Sequence, residues 1–113
     1  PTKVKLPPFT EVRIIKCTAS RQRHGYSSWK QLYEDTVGNW PDLCRVSYCT
    51  QKAIYGAHVE VYAEPGVVYI IPMCAKNHSN NDWMRINANT FAACVEKEDT
   101  SGPSDTYSSN SDD

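Results

Sequence analysis

Three of the chain's five cysteines and two of its three histidines fall between Cys44 and His78. Cys44 and Cys49 are spaced C-x4-C, and Cys74 and His78 are spaced C-x3-H. On a helix the second pair stands at i and i+4, so its two donors leave one face about a turn apart. Three thiolates and one imidazole match the tetrahedral, soft-donor preference of a structural zinc ion. The spacing therefore points to zinc held by Cys44, Cys49, Cys74 and His78. Two other uses of these atoms stay open: sulfurs bridged to one another, and a side chain at work in catalysis. A thiol nucleophile is not indicated, because nothing in the sequence sets a base beside a particular exposed sulfur.

Such a site needs elements that carry residues 44–49 up to residues 74–78. From Ile54 to Tyr62 the chain alternates, with Tyr55, Ala57, Val59 and Val61 on one side and His58 and Glu60 on the other, which is the period of a strand. Glu64-Pro65-Gly66 reads as a turn and the apolar run "VVYIIP" follows it, so a β-hairpin is expected. Pro72 suits a helix entry, which predicts a short helix from Met73 to about Asn80. Upstream, "FTEVRIIKC" (Phe9 to Cys17) is rich in β-branched residues and follows Pro7-Pro8, the pattern of a strand. Ser28 and Gln31 have capping-box spacing, and Trp29, Leu32, Tyr33, Val37 and Trp40 recur at near-helical intervals. A helix is expected from Trp29 to Val37, ending at Gly38, with its aromatic stripe as a packing face. "WMRIN" reads as a later strand, and "FAACVEK" fits a strand or a helix.

A cysteine-bearing turn, a hairpin and a ligand pair at the start of a helix, in that order, resemble a treble-clef zinc finger. "GAHV" on the first strand of the hairpin, followed by "YIIPMC", is similar to the ββα-metal core of HNH endonucleases, over about residues 44–81. The resemblance implies an α+β fold: a small single domain with a treble-clef-like zinc core extended by an N-terminal strand and helix. For the nuclease branch it implies that His58 activates water and that Asn77, Asn80 or Asn81 supplies an orienting amide beside a divalent ion. Ala57 precedes His58 where that family usually carries a metal-binding Asp, and Glu60 is the nearest substitute. The residues themselves therefore assign His58 a non-catalytic place, as a hydrogen-bonded strand histidine or a spare zinc ligand.

Cys17 and Cys94 remain, either as buried thiols in a reducing cell or as a disulfide in a secreted chain. An odd cysteine count, and a histidine so placed beside Cys74, weigh against a disulfide set. Asn77-His78-Ser79 reads as a glycosylation acceptor, which fits a secreted loop, but a glycan there would crowd His78.

The chain of 113 residues, 40% hydrophobic, has the size and composition for one modest core. No apolar run approaches the roughly 18 residues of a membrane-spanning helix, so a soluble domain without membrane partners is expected. The chain opens at Pro1 with no apolar leader, so any targeting segment is expected to have been removed or never to have existed. Its charge of −1 hides an asymmetry. Residues 1–30 carry Lys3, Lys5, Arg13, Lys16, Arg21, Arg23 and Lys30 against Glu11 alone, whereas the end from Glu96 to Asp113 is strongly acidic. Arg21, Arg23 and Lys30, interleaved with Tyr26 and Trp29, could contact nucleic acid or another anion. The pI of about 6.3 argues against a dedicated nucleic-acid binder. Residues 98–113 are almost without apolar side chains and are expected to be a disordered tail on a globular domain of residues 1–97. The functional expectation is a small structural zinc-binding or interaction module with a protein partner. A metal-dependent nuclease, and a secreted disulfide protein whose acidic tail contacts cations or a matrix, are the alternatives.

Overall fold

The computed structural model describes residues 1–15 and 25–97. Among these the elements follow as β1 (Thr2–Leu6), β2 (Glu11–Ile14), α1 (Trp29–Val37), β3 (Tyr55–Val61), β4 (Glu64–Met73), α2 (Ala75–His78), β5 (Met84–Arg85) and β6 (Thr90–Lys97). The strands form one sheet in the order β1-β6-β4-β3-β2-β5, antiparallel at every junction. Lys16 to His24 and the segment 98–113 lie outside the described residues, and with them Cys17, Arg21, Arg23 and the expected tail.

The run Val67 to Met73 of β4 lacks polar alternation because both of its faces are covered. Val68 and Ile70 pack with Leu32 and Tyr33 of α1 and with Ala93 and Val95 of β6. Tyr69, Ile71 and Met73 belong to a second core with Leu6, Val12, Ala57, Val59, Ile86 and Ala92. Cys44 and Cys74 are buried members of that second core. The helix α1 covers one face of the sheet and begins where its sequence predicts. Ser28 is its N-cap, accepting the Gln31 N–H at 3.0 Å, and Gly38 closes it. Its first turn lies very close to β3, where a Cβ on Gly56 would stand 2.6 Å from the Lys30 backbone nitrogen.

The α+β treble clef expected from the sequence is not what forms. Strands dominate, and α2 is a single turn that buries no side chain, so it cannot serve as the packing helix of a finger. Two segments account for the difference. In Thr2–Leu6, Lys3 and Lys5 alternate with Val4 and Leu6, and the segment pairs along β6 from Thr2↔Cys94 to Leu6↔Thr90. The "FAACVEK" segment, ambiguous by sequence, becomes a strand because it lies between β1 and β4 and divides Ala92 and Ala93 between the two cores.

The β3–β4 hairpin forms, but its tight turn is Tyr62-Ala63, with Val61 opposite Glu64. Pro65 and Gly66 are absorbed by a register shift, for which Gly66 adopts φ +83°. Pro72 stays in the strand, so the following helix is shorter than expected.

Candidate metal centre

The connection from Gly38 to Ile54 exceeds the roughly 12–15 residues beyond which loops without their own secondary structure become uncommon. It is pinned to the sheet by its backbone. Leu43 bridges Lys52, and the Cys44 N–H donates to the Gln51 carbonyl at 2.9 Å, so residues 44–51 close on themselves. The Arg45 N–H reaches the Pro72 carbonyl at 3.1 Å, and the Ile54 N–H reaches the Met73 carbonyl at 3.0 Å. These bonds bring Cys44 and Cys49 to the end of β4, where Cys74 caps α2. The Cys74 sulfur accepts the Asn77 backbone N–H at 3.4 Å, and its carbonyl accepts the His78 N–H at 2.9 Å.

The sulfurs of Cys44, Cys49 and Cys74 lie within 4.8 Å of one another, and those of Cys49 and Cys74 are 3.7 Å apart. A tetrahedral ion with Zn–S bonds of about 2.3 Å sets its sulfurs about 3.8 Å apart, whereas a disulfide needs about 2.05 Å. None of the three is bridged. Cys44 and Cys74 are almost fully buried, at 0% and 2% exposure, and Cys49 is half-buried. Burial pushes the Cys49 thiol up. Burial also works against the Cys74 thiolate, but the Asn77 N–H and the neighbouring thiols outweigh it and hold Cys74 below the ordinary thiol range. One polarised sulfur beside two others is a place where a soft cation can displace thiol protons.

His78 does not join this group. Its ring stacks on Tyr55, with centroids 4.6 Å apart and planes 18° from parallel, and burial lowers its pKa. Asn77, one residue earlier, turns its amide to the cluster, with Nδ2 3.6 Å from the Cys44 sulfur. The sequence signal for this was C-x2-N, overlapping the C-x3-H spacing. The amide of the glycosylation triplet is thus engaged with the Cys44 sulfur, on a half-buried residue.

The remaining candidates lie elsewhere. His58 is 3% exposed and stacks on Trp29, with centroids 4.7 Å apart and planes 5° from parallel. Glu60, its possible metal-binding neighbour, accepts Arg13 at 3.0 and 3.1 Å. The Lys30 ammonium sits 4.9 Å above the Trp40 ring. No helix among the described residues is long and apolar enough to cross a membrane. Comparison with protein-family models, with curated proteins and with solved structures gave no match.

Proposed function

We propose that this is a small metal-binding module in which Cys44, Cys49 and Cys74 hold one zinc ion, and that the ion's role is structural. The observation that carries the reading is the sulfur triangle, whose 3.7 Å edge has the size of a zinc–thiolate tetrahedron. The position of the triangle supports a structural role. Between Asp42 and Ala53 the loop fully buries Cys44 and Ala53 alone, with Val46 and Cys49 partly buried against the core, so few apolar contacts hold it. A metal would tie this loop to the end of β4 through three bonds at once. Burial of His58 under Trp29, and the engagement of Glu60 by Arg13, support a packing role for that strand face over metal-dependent cleavage.

The loop so fixed presents Tyr48, 92% exposed and in the left-handed backbone region at φ +64°. A strained, exposed aromatic is suited to recognition of a protein partner. We therefore read the module's output as display of this loop.

Metal analysis of the purified protein tests the reading. It should give one zinc per chain, lost in Cys44→Ser and Cys74→Ser. Protein folded with intact thiols and without stoichiometric metal after purification in zinc would refute it.

A further inference from the structure

Three thiolates leave a tetrahedral ion one donor short. We infer that the fourth donor is the side-chain amide of Asn77, so that the binding pattern is C-x4-C with C-x2-N; this rests on the zinc reading above.

Three observations converge on Asn77. First, in a tetrahedron with Zn–S of about 2.3 Å and Zn–O of about 2.1 Å, an oxygen and a sulfur stand about 3.6 Å apart. The Asn77 amide nitrogen, whose place the oxygen takes on a half-turn of the amide, is 3.6 Å from the Cys44 sulfur. Second, its backbone N–H bonds the Cys74 sulfur at 3.4 Å, so the turn that carries one ligand also fixes where residue 77 projects. Third, the imidazole of His78 is engaged with the Tyr55 ring.

The two ends of an amide exchange by a half-turn of its terminal torsion, so Oδ1 can face the ion from the position where Nδ2 now faces sulfur. Binding releases the protons of the three thiols and none from the amide. The bound site carries one net negative charge, from a divalent ion and three thiolates. A carboxamide oxygen is a harder donor than thiolate or imidazole, so it is the weak corner of the shell and the one an external donor would replace. Asn77 and Cys49 both border a cavity of about 310 Å³, which gives such a donor access.

Cobalt(II) titration of the full chain tests this, read by thiolate-to-cobalt charge transfer and the ligand-field bands, with zinc competition for affinity. Wild type should bind one cobalt with the charge-transfer intensity of three thiolates. Asn77→Ala should weaken binding about tenfold or more and shift the ligand-field bands. Asn77→Cys should bind more tightly and add the intensity of a fourth thiolate. Asn77→Asp should keep or raise affinity, because its carboxylate oxygen can take the same corner. His78→Ala and the stack-preserving His78→Phe should leave both affinity and spectrum unchanged.

A tenfold loss in Asn77→Asp would overturn the inference, since it would show that the amide serves by donating its N–H to Cys44. Loss in both His78 variants with none in Asn77→Ala would do the same and make the imidazole the fourth ligand. So would an unchanged spectrum in every variant, which would leave the corner to water. A wild-type chain that binds no cobalt would instead sink the metal reading itself, and the inference with it.

Discussion

At the scale of single residues, the spacings picked out Cys44, Cys49 and Cys74, whose sulfurs do converge, and named His78 as the fourth donor, which stands apart from them for a definite reason. C-x3-H is a spacing, whereas ligation depends on direction, and the direction of residue 77 is set by a bond to Cys74 and by Cys44, 33 positions away in the chain. A list of spacings contains neither fact. The alternation placed His58 on the polar side of its strand, opposite Ala57 and Val59, but neither its burial nor its partner Trp29 was legible. Tyr48 illustrates a residue whose local cost has no internal return. A non-glycine residue in the left-handed region costs about 1–2 kcal/mol, part of which a glycine gives back as unfolded-state entropy. Tyr48→Gly is therefore expected to change the stability of the domain between zero and a gain of about 1 kcal/mol, measured by urea unfolding. A clear loss would show that the exposed ring makes contacts that hold the loop.

Among the elements, α1 was readable to the residue because its cap, its apolar stripe and its stop at Gly38 agree. The hairpin was readable as a hairpin, but its turn was not, because Pro65-Gly66 is a good turn pair that the register shift uses inside β4 instead. The strand β6 was undecided for a physical reason: a strand covered on both faces loses the alternation that would separate it from a helix. The seat of α1 on β3 supplies a test. Gly56→Ala would drive a methyl group into the backbone of Lys30 and Trp29, and should cost about 1–3 kcal/mol in urea unfolding. Unchanged stability would mean that the helix rides higher on the sheet. The contact of α1 with β6 carries Tyr33, which is 3% exposed and donates its hydroxyl to the Phe91 carbonyl at 3.0 Å. Burial pushes its pKa up to about 12. The unfolded chain then releases this proton first, so the contribution of Tyr33 is intact below about pH 10 and is lost as pH rises through about 12. Tyr33→Phe should flatten the alkaline fall in the unfolding midpoint between those values, and an unaltered slope would show that Tyr33 does not set it.

The whole molecule is a six-stranded antiparallel sheet among the described residues, with a helix on one face and, at the end of β4, a long loop that brings Cys44 and Cys49 beside Cys74. Composition bounded its size, but the sheet order depends on β1 and β6 meeting from opposite ends of the folded region, which no local pattern reveals. In the proposed arrangement the two cores hold the sheet, backbone hydrogen bonds seat the loop on it, and a metal ion would add a further tie between them. Metal bound to the native state and not to the unfolded chain stabilises by mass action, by about 2.7 kcal/mol when free zinc stands at 100 times the dissociation constant. The most direct test is thermal unfolding of the full chain in zinc buffer, before and after chelation under reducing conditions. Chelation should lower the midpoint by about 10 °C or more, and added zinc should restore it. An identical midpoint with and without zinc, in protein whose three thiols are free and intact, would contradict it.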